Sequence, residues 1–364
     1  MKKSLIFVFS LLSLAACSDD DNTAPTISGP STGAILTPAV GGATQPNQVY
    51  VDLSGETSTP VLRTGWELGF YSGTEYRVVI NSAIRMAVKQ TASTDITQPV
   101  AIDNSVAVGA PNQGSGNIEN GNTAYVDAPS GAITGTAIAE VSANDADNRV
   151  YLVNLGNAIP AEQPAIGTIN IFGAQRGWRK IRVLRSGNGY KLQYASPEAT
   201  TFQEVTIAKN NAFNFTFFSL TGNTPVNVEP QKENWDLNFT TFTNTLSMGP
   251  GGTVSYFYSD FVLTNAKGGT RAYEVLNSAG ITYEAFTTAN VDASKFTAGA
   301  AADQRVIGAN WRNGGGPTSL PSVRDDRFYV VKDAAGNIYK VQFITMVNQA
   351  GERGNPVFRY ELLD

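Results

Sequence analysis

The side chains that most often carry enzyme and metal chemistry are scarce in this chain. It has 364 residues, with no histidine and one cysteine. Without histidine it cannot build a Ser-His-Asp or Cys-His nucleophile, a histidine-held zinc site or a bis-histidine haem site. Its carboxylates are scattered, with no pairing that would suit a glycosidase. We therefore predict a protein without catalytic activity.

The one cysteine, Cys17, has a setting that suits covalent lipid attachment. Two lysines and an apolar run over residues 5–14 precede it, which is the pattern of a secretory signal peptide and is too short to span a bilayer. Leu14-Ala15-Ala16-Cys17 resembles the lipobox of bacterial lipoproteins, in which the cysteine receives diacylglycerol and further acyl chains such as palmitate. We predict a signal peptide over residues 1–16 and a permanent lipid anchor on Cys17. The alternative is an ordinary signal peptide followed by a free thiol.

The residues after Cys17 predict a tether and a destination. The acidic run Ser18-Asp19-Asp20-Asp21-Asn22 resembles the signal that sends lipoproteins of Bacteroidetes to the outside of the outer membrane, although a solvated linker is the alternative. Residues 22–47 are rich in Pro, Thr, Ser, Gly and Ala and have too few large apolar side chains to fold. We expect residues 17–47 to be a lipidated, flexible tether that holds the folded part at the cell surface.

The rest of the sequence has the pattern of an all-β protein. Short β-branched and aromatic runs, several of them alternating between apolar and polar residues, are separated by Gly, Asn and Pro. Examples of the predicted strands are residues 48–53, 76–80, 179–184 and 339–343. Glycine-containing turns at residues 186–189 and 335–337 predict two hairpins.

The sequence also contains a weak internal repeat. Trp66-Glu67-Leu68-Gly69-Phe70 is echoed by Trp235-Asp236-Leu237-Asn238-Phe239, and further matching segments follow in each copy. A repeat of this kind predicts duplicated structural units. We expect two tandem antiparallel β domains, residues 48–202 and residues 203–364. Because Trp, Leu and Phe alternate in the motif, all three are expected to enter the core from one side of a strand.

Several of these segments resemble the HmuY family, haem-capturing surface lipoproteins of Bacteroidetes with an all-β fold. Residues 328–343, from Phe-Tyr-Val-Val to Lys-Val-Gln-Phe, are the most specific match, and residues 217–220 and 234–237 support it. The resemblance covers most of residues 203–364, and residues 47–200 look like a diverged copy. It implies a non-enzymatic protein that takes haem from host or environmental proteins and passes it to an outer-membrane receptor.

The iron ligands that this resemblance implies are restricted here. Known members of the family use two histidines or methionines, and this chain has no histidine. After Cys17 its methionines are Met86, Met248 and Met346, and thioether ligation of haem iron is chemically sound. Met248 stands in a polar, glycine-rich loop, so we take it and Met86 as candidate ligands for haem held without histidine. Buried methionines more often only fill a core, and a tyrosine ligand stays open as well.

Two other segments have side chains that could contact a ligand. Trp311-Arg312 combines an aromatic face, which could stack on a porphyrin, with a guanidinium for a propionate; the alternative is a loop anchor. Residues 144–148 offer oxygens to calcium but lack the glycine and the distal glutamate of an EF-hand loop. A solvated turn is the better interpretation of that segment, and we predict no metal site.

The function that the sequence favours is non-catalytic binding of haem or a related tetrapyrrole by an outer-membrane lipoprotein at the cell surface. Its expected partners are a haem-uptake receptor or host haemoproteins. A second class stays open: a carbohydrate-binding or adhesion lipoprotein that keeps the fold without iron, with Tyr256-Phe257-Tyr258 and Trp311 as stacking aromatics. A net charge of −5 without a basic cluster argues against nucleic acid as a partner.

Overall fold

The computed structural model describes residues 29–111, 118–315 and 319–363. The signal peptide predicted over residues 1–16, the lipidated Cys17 and the first part of the tether lie outside these residues, so they stay predictions. Among the described residues, no helix is long and apolar enough to cross a membrane.

Strands make up nearly all of the regular structure, so the prediction of an all-β fold is confirmed. The β-branched and aromatic runs form them because such side chains pack well on a pleated surface. The strands are β1 (Gly33–Leu36), β2 (Asn47–Asp52), β3 (Thr57–Leu62), β4 (Leu68–Tyr71), β5 (Val78–Ile80), β6 (Ala87–Gln90), β7 (Ala110–Pro111), β8 (Ile118–Glu119), β9 (Tyr151–Asn154), β10 (Trp178–Ser186), β11 (Gly189–Ala195), β12 (Gln203–Ile207), β13 (Phe215–Ser219), β14 (Thr224–Val226), β15 (Leu237–Ser247), β16 (Thr253–Thr264), β17 (Arg271–Leu276), β18 (Arg312–Asn313), β19 (Ser322–Val323), β20 (Arg327–Lys332), β21 (Ile338–Val347) and β22 (Arg353–Leu362).

The helical elements of the described residues are short 3₁₀ turns. They are Ser82–Ile84, Thr123–Tyr125, Ile133–Gly135, Asp145–Asp147, Gly249–Gly251, Asn277–Ala279, Thr288–Asn290, Ala293–Lys295 and Gly299–Ala301. Each has three residues, so these turns connect strands rather than form a layer of their own.

Four antiparallel sheets carry the fold, and they form two matching pairs. Sheet 1 has the strand order β1-β22-β21-β20-β17, and sheet 2 has the order β12-β11-β10-β9-β6. Sheet 3 has the order β14-β13-β4-β5, and sheet 4 has the order β3-β2-β15-β16. Within the described residues, β7 with β8 and β18 with β19 form two further small sheets.

Each half of the chain gives its first strands to the sheets of the other half. In sheet 4, β2 pairs with β15 and places Val51 opposite Leu237. In sheet 3, β13 pairs with β4 and places Phe218 opposite Leu68. Strands β1 and β12 cross over in the same way. The division expected between residues 202 and 203 is therefore not a division between sheets, because strands pair by their position in space and not by chain order.

Two hydrophobic cores result from this arrangement. Sheets 2 and 3 pack together around side chains such as Phe70 and Leu192. Sheets 1 and 4 pack together around side chains such as Phe239 and Phe358. Burial of each large apolar side chain contributes about 1.5–3 kcal/mol, so both cores depend on strands from both halves of the chain.

The predicted flexible tether extends too far along the chain. Residues Gly33–Leu36 form β1, which pairs with the last strand, β22. Val40 and Gln45 are buried as well. The low average content of large apolar residues in the range 22–47 hid this strand, because a short edge strand needs only a few apolar side chains and a partner.

The prediction that the three apolar side chains of the repeated Trp-acidic-Leu-x-Phe motif enter one core is wrong. β4 begins at Leu68, and Leu68 and Phe70 enter the core between sheets 2 and 3. Trp66 precedes the strand and packs in a separate aromatic cluster that also contains Trp235. The aromatic cluster includes side chains of sheets 3 and 4, so the two tryptophans join these sheets.

Candidate binding cavity between the four-stranded sheets

A cavity lies where sheets 3 and 4 meet, and aromatic side chains line much of it. Its empty space, together with the open mouth, is about 930 Å³. The aromatic lining residues are Tyr50, Trp66, Phe215, Phe217, Trp235 and Phe242.

Two edge-to-face ring pairs build the wall of the cavity. The ring centroids of Tyr50 and Trp235 are 4.9 Å apart with an interplanar angle of 82°. Those of Trp66 and Phe217 are 4.7 Å apart with an angle of 73°. Each pair joins a ring from the first half of the chain to a ring from the second half. The exchange of strands between the halves therefore creates this wall.

Met86 is the predicted haem ligand that the structure brings to the cavity. It lines the cavity, lies directly before β6 and is fully buried against the core between sheets 2 and 3. A thioether is a soft ligand that binds haem iron without losing a proton. Met86 can therefore serve either as core filler or as a ligand at the cavity wall.

Besides Tyr50, three ionisable groups line the same cavity. Burial raises the pKa of Glu229 to about 7 and that of Asp127 to about 6. Burial lowers the pKa of Lys267 to about 8, although both carboxylates favour its charged form. Near neutral pH the cavity therefore combines an ammonium group with two carboxyl groups that burial makes easier to protonate.

Hydrogen bonds fix the two acidic side chains in place. Asp127 accepts hydrogen bonds from the backbone N–H groups of Ile80 and Ala137, both at 2.8 Å. Glu229 accepts one from the backbone N–H of Phe215, also at 2.8 Å. These bonds favour the ionised carboxylates and oppose the effect of burial on both pKa values.

Met248, the other methionine predicted to bind haem, is not in the cavity. It is 37% exposed and lies directly before the 3₁₀ turn Gly249–Gly251, which connects β15 to β16. Met346 is buried in the core between sheets 1 and 4. The structure therefore does not bring Met86 and Met248 to one site.

Trp311 and Arg312 also lie away from the cavity. The Trp311 side chain is only 1% exposed, its ring stacks on Phe343 at 4.4 Å, and its Nε1 donates to the backbone oxygen of Asp260 at 3.1 Å. Arg312 donates to the backbone oxygen of Ser259 and pairs with Asp260. In this arrangement both side chains anchor a loop, and the buried indole has no free face for a porphyrin or a sugar.

The remaining candidate residues lie in a capped turn and in a packed pair of rings. Residues Asp145–Asp147 form a 3₁₀ turn that the side chain of Asn144 caps. No group of three or more His, Cys, Asp or Glu in the described parts of the chain could hold a metal ion. Tyr256 and Tyr258 pack on each other edge to face at 5.2 Å, while Phe257 between them is buried.

Sequence reasoning missed the charged residues of the cavity. Asp127, Glu229 and Lys267 come from three separate connecting segments, and each looks like an ordinary surface residue in the sequence. The one sequence feature that indicated the cavity was the repeated tryptophan. Its alternation with Leu and Phe had placed it in the core instead. Trp66 and Trp235 line the same cavity because each half of the chain gives strands to the sheets of the other half.

The cavity residues fit the organic part of a haem and offer one ligand for its iron. The aromatic wall suits a flat ring, and Lys267 suits a propionate. Met86 provides a thioether, whereas the chain has no histidine. The donor set thus suits the ring and the acid groups of a tetrapyrrole better than it suits the iron.

Comparison with known proteins gives one family. The model of the family described as HmuY protein matches residues 44–360. Among solved structures, the crystal structure of apo PinO from Porphyromonas gingivitis matches at 10% sequence identity, with coverage of 92% of this chain and 98% of that chain and a TM-score of 0.24. That TM-score is too low to support an argument about fold or function. The comparison with curated proteins finds no match.

Proposed function

The chain belongs to the HmuY family, and on that premise we propose that it is a non-catalytic binding protein for haem or a related tetrapyrrole. Proteins of this family bind ligands and are not known as enzymes. We place the ligand in the aromatic cavity between sheets 3 and 4. The tetrapyrrole is cargo, so the task of the chain is to hold it and release it.

The observation that carries this proposal is an aromatic wall with a methionine in it. Trp66, Phe217, Tyr50 and Trp235 present rings that suit a flat macrocycle, and Met86 lines the same cavity. The bound haem would supply the iron, to which the thioether of Met86 would be a ligand.

We also propose that the protein is displayed at the cell surface. HmuY family proteins are generally cell-surface lipoproteins. The signal-peptide pattern of residues 1–16 and the lipobox-like sequence before Cys17 agree with a lipid anchor in the outer membrane. The expected partners are host haemoproteins as haem donors and an outer-membrane receptor as acceptor.

The test is a titration with hemin, followed through the Soret absorbance band. A chain that starts at Ser18 suits it, because every described strand lies between Gly33 and Leu362 and no detergent is then needed. We expect a shifted, saturable Soret band at micromolar hemin under oxidising and reducing conditions. No spectral change at that concentration would overturn the proposal.

Two methionine variants show which sulfur contacts the iron. Met86→Leu nearly conserves volume, so it should cost less than about 1.5 kcal/mol of stability while it removes the thioether. We expect it to reduce the Soret shift, most strongly in the ferrous state. The matched control, Met248→Leu, removes an exposed thioether outside the cavity and should leave the spectrum unchanged.

A further inference from the structure

The two parts of the cavity wall are structurally equivalent, and the residues that differ between them point to a ligand. Val51 in β2 and Phe218 in β13 hold the same register position, each opposite the leucine of a Trp-acidic-Leu motif. Three residues earlier in each strand, Gln48 is therefore the equivalent of Phe215. Both residues line the cavity.

This replacement leaves a buried indole without an acceptor. Trp66 donates from Nε1 to Oε1 of Gln48 at 2.9 Å. For Trp235 the equivalent position is occupied by Phe215, and a phenyl ring offers no oxygen. Within the described part of the chain, Nε1 of Trp235 has no hydrogen-bond partner, although the residue is only 8% exposed. Since buried donors are rarely left unpaired, this N–H is available to a ligand.

Asn238 adds an unpaired acceptor to the same wall. It is opposite Tyr50 in sheet 4, as Gly69 is opposite Phe217 in sheet 3. Asn238 therefore places a side-chain amide where the other half of the wall has none. Its Oδ1 has no hydrogen-bond partner among the described residues, and the residue is 5% exposed.

Lys267 gives this part of the wall a positive charge. It follows Asn265 by two residues, as the uncharged Ala83 follows Asn81 in the other half. Its Nζ donates to the backbone oxygen of Gly131. An ammonium group has three N–H donors, so it retains the capacity to bind an anion.

We propose that Trp235, Asn238 and Lys267, which all line the cavity, bind the acid group of a flat, largely apolar ligand. This inference rests on the proposed function and narrows it: the protein recognises a tetrapyrrole by its free propionates and does not require the iron. Lys267 pairs with the carboxylate, the Trp235 N–H donates a hydrogen bond, and the Asn238 oxygen accepts one from a ligand donor.

Neighbouring carboxyl groups make this binding dependent on pH. The other titratable groups in the cavity are Tyr50, Asp127 and Glu229. Because burial raises the pKa of Asp127 to about 6 and that of Glu229 to about 7, both take up protons as the pH falls from about 8 to about 6. The pKa of Lys267, about 8, keeps its ammonium charged at the lower pH. Repulsion of a ligand carboxylate therefore decreases, and affinity for the acid should rise over this range.

The experiment compares metal-free protoporphyrin IX with its dimethyl ester, in which both propionates are blocked. Binding to the chain that starts at Ser18 is followed by tryptophan fluorescence quenching. At about pH 6 we expect the acid to bind at least tenfold more tightly than the ester, and the ratio to decrease towards pH 8.5. Lys267→Met should remove most of this preference, whereas Lys267→Arg should keep it. The control Lys295→Met changes an exposed lysine outside the cavity and should have no effect.

The possible outcomes separate this inference from the proposed function. Equal binding of acid and ester by the unmodified chain would overturn recognition through the carboxylate and leave tetrapyrrole binding intact. An unchanged preference in Lys267→Met would overturn the role of Lys267. If neither porphyrin nor hemin binds, the proposed function fails and this inference fails with it. The comparison of the two ligands on the unmodified chain decides the question even if Lys267→Met does not fold.

Discussion

The carboxylate of Asp236 accepts a hydrogen bond from the backbone N–H of Leu53 at 3.0 Å, across 183 residues of chain. Glu67 accepts the equivalent bond from the backbone N–H of Leu220. Each acidic residue of the repeated motif thus holds a strand that the other half of the chain contributes. The two sites differ in charge, because Glu67 pairs with Arg176, while no cationic side chain pairs with Asp236 among the described residues.

The buried Asp236 should make the fold less stable at high pH. Burial raises its pKa from 3.8 to about 7, so the folded state holds the proton more tightly than the unfolded state. The contribution of Asp236 to the free energy of unfolding is complete below about pH 4. It decreases as the pH rises to 7, by about 4 kcal/mol in total. Asp236→Asn should remove this part of the decline, which urea unfolding at pH 5 and pH 8 would measure. The residual slope comes from Asp127 and Glu229, and an unaltered slope in the variant would contradict the assignment.

Glu67 should stabilise the fold through its ion pair with Arg176. Its side chain is fully buried and ion-paired with Arg176, so Glu67→Gln leaves a largely buried guanidinium without its counter-charge. We expect a loss of about 3–5 kcal/mol in the free energy of unfolding. The control is Glu284→Gln, which breaks an exposed pair with Arg359 and should change the free energy of unfolding far less. Similar losses in both variants would show that burial of the first pair does not matter.

The two tryptophans of the cavity should respond differently to the same substitution. Trp66→Phe leaves the buried Oε1 of Gln48 without its donor, which should cost about 1–3 kcal/mol beyond the smaller ring. Trp235→Phe removes an N–H that has no partner among the described residues, so it lacks this penalty. Thermal unfolding of the two variants measures the difference. Equal losses would mean that the Trp235 N–H does have a partner.

Half of the chain should not fold alone. A fragment of residues 203–364 lacks β1 and β2, so the edges of β22 and β15 stay unpaired, and its own β12 and β13 have no sheet to join. We expect this fragment to be protease-sensitive, with no cooperative unfolding transition. Refolding it together with residues 18–202 should restore protection. A cooperative transition in residues 203–364 alone would instead support the two separate domains that the repeat predicted.

Cys17 should carry the membrane attachment. Replacing it by serine removes the thiol that the lipobox-like sequence predicts as the acyl acceptor. We expect Cys17→Ser to lose labelling by radioactive palmitate in bacteria and to leave the membrane fraction. Met248→Leu serves as a control with an unchanged anchor. Retained labelling in Cys17→Ser would contradict the lipoprotein prediction.

Local features of the fold could be predicted from the sequence, because strands and turns depend on neighbouring residues. The alternation in residues 48–53 predicted β2, and the glycine turn at 186–189 predicted the hairpin of β10 and β11. The partner of each strand could not be predicted, since periodicity shows which face is buried and not which strand lies beside it. β2 therefore looked like part of one domain although it pairs with β15.

The cavity was harder to predict than the strands, for the same reason. Met86 was a candidate from its chemistry alone, whereas Lys267 gave no signal because a single lysine usually lies at the surface. Trp311 looked like a ligand-stacking residue since its loop is polar and glycine-rich, yet its ring fills the core beside Phe343. Side chains from distant segments acquire a common role only after the strands have exchanged.

The pairing of the first strand with the last also sets when the protein can fold. The hydroxyl group of Tyr360 donates a hydrogen bond at 3.2 Å to Oγ of Ser31, which lies next to β1 and 329 residues earlier in the chain. At about 5–20 residues per second, a ribosome needs about 15–65 s to make that length of chain. During this time β1 has no partner, and contacts so distant in sequence also form slowly. Such late closure would suit the export that the pattern of residues 1–16 predicts, because an exported chain passes through a pore before it becomes compact.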